Sequence, residues 1–122
     1  MHPRGKGIIL LGHGSRDPLW RRPIEAVAQR VALAHPSLAV GCAYLELEQP
    51  DLATAVGQLV AAGAQRITVV PMFLGTGKHA LGDLPGLLEV LRRAHPGARF
   101  EVQRPVGEDP RVLDLLALIA VE

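Results

Sequence analysis

The sequence predicts an α/β fold in which a four-stranded parallel sheet carries helices on both faces. Three observations lead to this prediction: strand-like and helical segments alternate four times, two strands are almost continuously aliphatic, and every helix start combines an aspartate with a nearby proline. Continuous aliphatic runs are typical of parallel strands covered on both faces, and the alternation is typical of βα units. No linker interrupts it, so we expect one domain over residues 1–122 with a flexible start over 1–6.

Each predicted strand is a short apolar segment. The first and third are the most aliphatic, and the fourth, "RFEVQ", alternates polar and apolar residues as an edge strand does. The second contains the single cysteine, Cys42, which we expect to be a small buried hydrophobe rather than a reactive thiol. The predicted strands are Gly7–Leu11, Leu38–Leu45, Arg66–Val70 and Arg99–Gln103.

Four helices are predicted because apolar residues recur at the spacing of one helical face. Aspartate in the first turn can accept a hydrogen bond from free backbone N–H groups, and a proline there loses no hydrogen bond. Gly63, His35 and His95 lie where helices are expected to end. The predicted first-turn aspartates are Asp17, Asp51, Asp83 and Asp109. The predicted apolar faces are Ile24/Val27/Ala28/Val31, Leu52/Ala55/Val56/Leu59, Leu84/Leu87/Leu88/Leu91 and Val112/Leu115/Leu116/Ile119.

Composition excludes several classes of function. Net charge is +1 and aromatic residues make up 3% of the chain, which argues against a broad nucleic-acid surface and against base-stacking platforms. No apolar run is long enough to span a bilayer, and the short run near the start lacks a cleavage site, so we expect a cytoplasmic protein. The glycine turns "GHGSR" and "GTGK" lack a Walker A pattern, so no nucleotide cofactor is expected.

Three residues whose side chains can bind a metal ion or transfer a proton follow three successive strands at equal spacing. His13, Glu46 and His79 are separated by 33 residues each, since 46 − 13 and 79 − 46 are both 33. The equal steps indicate βα units of similar length, which places all three residues beyond the carboxyl ends of the strands, where open α/β sheets bind ligands. Glu48 is a competitor for the carboxylate, because in a continuing strand it would share the face of Glu46.

Two imidazoles and one carboxylate suit a divalent first-row metal such as cobalt, iron, nickel or zinc. A site with three protein ligands and no thiolate is typical of a metal that reacts or is passed on, because structural sites are more often closed by four ligands. A histidine that is neutral near physiological pH is also a good general base. The spacing therefore predicts a metal site at His13, Glu46 and His79.

Three stretches resemble one known family. "GHGSR" after the first strand, "LELEQP" after the second and "VVPMFLGTGKHALGDLP" after the third are similar to the short sirohydrochlorin chelatases of the CbiX/SirB type, and the match runs from Gly7 to about Leu116. The resemblance implies a chelatase-like three-layer sandwich with strand order 2-1-3-4. It implies ATP-independent insertion of Co²⁺ or Fe²⁺, or of Ni²⁺, into a sirohydrochlorin-type tetrapyrrole for cobalamin or siroheme synthesis, and a homodimer.

The resemblance also implies roles for individual residues. His13, Glu46 and His79 map to the functional positions. Because such a substrate carries many carboxylates, we expect Arg16 and Lys78 to pair with them, and Ser15 to hydrogen-bond either the turn or a carboxylate. Arg21 and Arg22 are either further substrate contacts or ordinary solvated charges. The chain departs from the family pattern in having Gly82, rather than an acidic residue, before Asp83. Two other readings stay open: a histidine-phosphatase-like hydrolase, and a non-catalytic carrier of metal or tetrapyrrole.

Overall fold

The structure, a computed structural model, describes residues 5–75 and 83–122. Four parallel strands form one sheet in the order β2-β1-β3-β4, as expected, with bounds β1 Lys6–Gly12, β2 Ala39–Tyr44, β3 Arg66–Pro71 and β4 Arg99–Val102. The predicted strand bounds differ from these by at most one residue at either end. Gly5 also belongs to the sheet region, since its carbonyl accepts a hydrogen bond from the Arg66 N–H at 2.8 Å. Lys6 is thus the first residue of β1, and residues 1–4 of the start expected to be flexible lie outside the described residues.

The helices lie where the apolar spacing predicts them. Their bounds are α1 Arg22–Ala34, α2 Leu52–Ala61, α3 Leu84–Ala94 and α4 Pro110–Ala120, with short 3₁₀ helices at Pro18–Arg21 and Val106–Glu108. None of the helices in the described ranges is long and apolar enough to cross a bilayer.

All four predicted aspartates lie at helix starts, and three of them cap by a side-chain hydrogen bond. Asp51 and Asp109 each accept a backbone N–H at 2.8 Å at the starts of α2 and α4. Asp17 begins the 3₁₀ helix rather than α1, accepting the Leu19 N–H at 2.9 Å. Asp83 occupies the cap position of α3, but its side chain makes no cap hydrogen bond.

One face of the sheet carries the core. Ile9 and Leu11 of β1 are completely buried beneath α2 and α3, together with side chains of β3 and β4. The α2 face is confirmed in full, because all four of its predicted apolar residues are buried. The remaining members of this cluster are Ala43, Leu52, Ala55, Val56, Leu59, Ala64, Ile67, Val69, Leu84, Leu88, Leu91 and Phe100.

The helix α1 covers the opposite face. Gly12 alternates with Leu11 along β1, and a Cβ at Gly12 would lie 2.5 Å from Cδ1 of Ile24 in α1. No residue of α1 is completely buried, so this layer is thinner than the α2/α3 layer.

The packed face predicted for α4 is not observed. Among the described residues, α4 makes its main contacts with the adjacent 3₁₀ helix Val106–Glu108. Apolar residues on all sides of α4 are exposed: Leu113, Leu115, Leu116, Leu118, Ile119 and, just past its end, Val121. Periodicity correctly predicted the helix, but it could not predict whether this chain alone supplies the covering surface.

Candidate active site

The turns after β1 and β2 are joined by backbone hydrogen bonds at the carboxyl edge of the sheet. The Leu45 N–H donates to the Gly12 carbonyl and the Glu46 N–H donates to the His13 carbonyl, both at 3.0 Å. Parallel pairing thus continues one step past the strands, so the backbones of His13 and Glu46 adjoin. Both side chains are exposed, so both are accessible to a ligand.

Gly14 allows these two turns to approach closely. Its φ is +98°, in the region that favours glycine, and a Cβ there would lie 2.8 Å from the carbonyl carbon of Glu46 and closer still to its oxygen. The sequence "GHGS" therefore needs its second glycine for contact with the Glu46 backbone.

Glu48 does not share the face of Glu46. Leu47 between them has a φ of +65°, and the Glu48 N–H donates to the Glu46 carbonyl at 2.8 Å, so the chain makes a γ-turn instead of continuing as a strand. The Glu48 side chain is 5% exposed, whereas the Glu46 side chain faces solvent. The two carboxylates therefore have different environments.

Glu48 holds the His13 turn from beneath. Its Oε1 accepts the Ser15 backbone N–H at 2.8 Å, and its Oε2 lies 3.7 Å from Nη1 of Arg21. Ser15 in turn accepts the Asp17 N–H at 3.0 Å through its Oγ. Arg21 is therefore partly neutralised by Glu48, while Arg16 and Arg22 are exposed at the surface.

The end of β3 reaches the same edge. The Met72 N–H donates to the Leu11 carbonyl at 2.8 Å, and the ring of Phe73 stacks on the imidazole of His13 with centroids 4.3 Å apart. His79 and Lys78 follow this strand but lie outside the described residues. Within residues 5–75 and 83–122, no three His, Cys, Asp or Glu side chains are grouped to hold a metal ion.

A hollow of about 480 Å³ opens beside His13, within the size range of ligand pockets. Its polar lining comes from His13, Ser15, Tyr44 and Glu48, and its apolar lining comes from the junction of the 3₁₀ helix with α1 and from the turns after β2 and β3. The apolar residues are Trp20, Pro23, Ile24, Leu47, Met72 and Phe73.

Burial changes the acidity of two groups on the α1 side of β2. Desolvation, with the neighbouring Cys42, Glu25 and Glu48 adding to it, raises the pKa of Tyr44 to about 12. Burial, assisted by the negative charge of Glu25, also raises the pKa of Cys42. Cys42 therefore has little thiolate character at neutral pH, which agrees with its expected role as a packed hydrophobe.

Sequence reasoning missed three members of this site. From the sequence, Phe73 is one residue of the stretch after the third strand and Tyr44 is one residue of the second strand, and neither is predicted to belong to the site. Glu48 is predicted only as an alternative to Glu46 as the carboxylate ligand. A signal was available for Tyr44 and Phe73, because each is a rare aromatic at the carboxyl end of a strand. The buried role of Glu48 depends on the backbone angle of Leu47, which the letters "LELEQP" do not reveal.

Comparison with known proteins assigns the family. The CbiX family model matches residues 7–119. A sirohydrochlorin cobaltochelatase from Methanothermobacter thermautotrophicus is 32% identical over 127 residues, covering 90% of this chain and 87% of the relative.

Two solved structures are similar to this one. A putative cobalamin biosynthesis CbiX protein from Marinobacter aquaeolei superimposes with a TM-score of 0.81 at 33% identity, over 94% of this chain and 93% of that one. The sirohydrochlorin chelatase SirB from Bacillus subtilis subspecies spizizenii, solved in complex with cobalt, gives a TM-score of 0.78 at 28% identity over 97% of this chain but 49% of that chain. The family match, the strand order and the adjoining His13 and Glu46 turns agree, and the chain belongs to the CbiX family.

Proposed function

We propose that this chain is a sirohydrochlorin chelatase that inserts a divalent metal ion into the tetrapyrrole without ATP. The observation that carries the proposal is the pairing of His13 with Glu46 on adjoining turns of a CbiX-family sheet. The cobaltochelatase name of the Methanothermobacter relative and the cobalt bound to SirB support metal insertion as the reaction. Co²⁺, Fe²⁺ and Ni²⁺ are the candidate metal substrates, and the pathway is that of cobalamin or of siroheme.

The reaction exchanges two protons for one metal ion. Two pyrrole N–H bonds break, the metal bonds to the ring nitrogens, and no electron is transferred. We assign His13 and His79 as metal ligands, one of which also accepts a ring proton, and Glu46 as the carboxylate that ligates the metal or passes the proton to solvent. Weak, open coordination by nitrogen and oxygen suits a metal that has to leave the protein.

Cations near the site suit a substrate that carries many carboxylates. Arg16 follows the His13 turn, Arg22 begins α1, and both are exposed; we assign Arg16, Ser15 and Lys78 to substrate carboxylates. Arg21 is the weaker candidate because Glu48 and Glu25 each lie 3.7 Å from its guanidinium. Arg22 makes no ion pair within the described part of the chain and remains available.

We also propose that the active form is a homodimer, acting in the cytoplasm. A globule of this length has a radius of gyration of roughly 14 Å, so it cannot enclose a tetrapyrrole and a second subunit would supply the other wall. The exposed apolar surface of α4 supports this arrangement, because a helix that is apolar all round is typically buried. SirB supports it as well: this chain matches 49% of it, which leaves length for a second unit.

The test of the activity is an anaerobic absorbance time course with sirohydrochlorin and each of the three metal ions. We expect the protein to accelerate insertion over many turnovers with at least one metal. Rates equal to the protein-free rate with every metal would refute the chelatase assignment. One equivalent of bound product without further turnover would instead indicate a carrier.

The test of the site compares four variants in the same assay. His13→Ala and His79→Ala should each lose about 10²-fold or more in rate while keeping the fold, since each removes a metal ligand. Glu46→Gln should lose activity and Glu48→Gln should keep most of it, because Glu46 is exposed whereas the Glu48 carboxylate is buried against the Ser15 N–H and Arg21. If Glu48→Gln loses activity while Glu46→Gln keeps it, Glu48 is the functional carboxylate.

The test of the dimer is the solution mass by light scattering. The wild type should have twice the mass of the chain, and Leu115→Lys should shift it to the monomer. Leu33→Lys, at an even more exposed apolar position on α1, should leave the dimer intact. A monomeric wild type that is active would contradict the proposed assembly.

A further inference from the structure

We propose that Trp20 and Leu47 form an apolar rim against which one face of the tetrapyrrole ring packs, and that this rim sets the affinity for the metal-free substrate. The inference rests on the proposed chelatase function. The two residues come from different turns, and both line the hollow that His13 also lines. From here on they are called the apolar rim.

Trp20 is exposed in a way that folding alone does not explain. It is the single tryptophan of the chain and is 71% exposed, although burying an indole is among the most favourable contacts a side chain can make. Its backbone is anchored to the turn that follows His13. The backbone N–H of Trp20 donates to the Asp17 carbonyl at 3.1 Å, and the Asp17 N–H donates to Oγ of Ser15 at 3.0 Å.

Leu47 is held in a strained backbone conformation at the same hollow. A φ of +65° is unfavourable for a leucine, and the γ-turn between Glu46 and Glu48 imposes it. The leucine is nevertheless 57% exposed, so the strain does not serve to bury it. Strain of this kind clusters at ligand sites, and here it accompanies an exposed apolar side chain that lines the hollow beside His13.

The chemistry of the rim selects the ligand class. An indole and a branched aliphatic side chain offer dispersion and offset stacking to a broad conjugated ring, whereas they offer nothing to a metal aquo-ion or a phosphate. Exposed arginines at the neighbouring Arg16 and Arg22 can take the peripheral carboxylates of such a ring. Because Trp20, Leu47 and His13 line the same hollow, a ring seated on the rim would lie beside His13.

The experiment measures equilibrium binding of metal-free sirohydrochlorin and steady-state insertion for Trp20→Ala, Trp20→Phe and Leu47→Gly. Trp20→Ala should raise Kd and KM about tenfold with kcat nearly unchanged, and Trp20→Phe should recover most of the loss. Leu47→Gly should weaken binding without lowering Tm, since glycine tolerates this φ. Leu33→Ala, an 83% exposed leucine that does not line the hollow, is the matched control and should change nothing.

The sole tryptophan supplies a readout that does not need turnover. Bound sirohydrochlorin should lower the acrylamide quenching constant of Trp20 in the wild-type protein. Unchanged Kd and KM in Trp20→Ala and Leu47→Gly would overturn the rim while leaving the chelatase assignment intact, whereas a wild type without turnover would refute that assignment. A shift of Trp20→Ala from dimer to monomer would also overturn the proposal, because the rim would then be a contact between copies.

Discussion

Replacing Gly14 with alanine should separate the two turns that carry His13 and Glu46. The new Cβ would lie 2.8 Å from the Glu46 carbonyl carbon, whereas non-bonded carbons prefer about 3.5 Å or more, so the turns must move apart by at least about 0.7 Å. That movement acts directly on the 3.0 Å hydrogen bond from the Glu46 N–H to the His13 carbonyl. A displacement near 1 Å in a catalytic constellation can cost about 10²-fold in rate.

The chain offers a matched control for backbone strain. Gly63 has a φ of +101°, close to the +98° of Gly14, but a Cβ there would meet nothing within 4 Å. Both alanine variants should lose roughly 1–2 kcal/mol of unfolding free energy from the left-handed conformation. Gly14→Ala should lose about 1 kcal/mol more, for a weakened hydrogen bond between the turns.

The assays are urea unfolding followed by circular dichroism, and anaerobic metal insertion well below the unfolding transition. Gly14→Ala should fall about 10²-fold in kcat/KM, while Gly63→Ala should stay within about twofold of the wild type. If Gly14→Ala remains folded and inserts metal at the wild-type rate, the contact between the two turns does not position the site.

Three further predictions follow from buried groups. Because the folded protein keeps the Tyr44 proton up to about pH 12 while the unfolded chain loses it near pH 10, the wild type should lose about 2 kcal/mol of stability over that interval. The free energy of unfolding of Tyr44→Phe, measured by urea titration at pH 9–12, should not show this loss. If the wild type and Tyr44→Phe lose the same stability over this pH range, the argument is refuted. Glu48→Ala should lower the free energy of unfolding by about 1–3 kcal/mol, because it leaves the Ser15 N–H unpaired. In thermal melts, Glu48→Gln should recover most of this stability. Equal losses for the two variants would contradict the hydrogen-bond account. Leu11→Ala, at a position with no exposed surface, should cost about 2–5 kcal/mol in urea unfolding, and a loss below 1 kcal/mol would show that the core collapses around it.

The sheet was predictable because its signal is local. Aliphatic runs in β1 and β3 have few alternatives to a central parallel strand, and the structure confirms both with shifts of one residue. The closeness of the His13 and Glu46 backbones could be predicted from the same aliphatic runs, because parallel strands of matched register bring their carboxyl ends together.

Other features depend on tertiary contacts or single backbone angles. The choice between Glu46 and Glu48 depends on the φ of Leu47, which reverses the alternation expected for a strand. Asp83 has the residue type of a cap, but its backbone is helical and its side chain does not reach the free N–H groups. The apolar face predicted for α4 is exposed. Periodicity identifies an apolar surface but does not identify what covers it.

The central claim is that His13, Glu46 and His79 coordinate one metal ion. The most direct test is an anomalous difference map from crystals soaked in Co²⁺, recorded at the cobalt edge. We predict one dominant peak with both imidazole nitrogens and a Glu46 oxygen at about 2.0–2.2 Å. A peak bound by other residues, or one that contacts His13 and Glu46 while His79 lies beyond coordinating distance, would contradict the account.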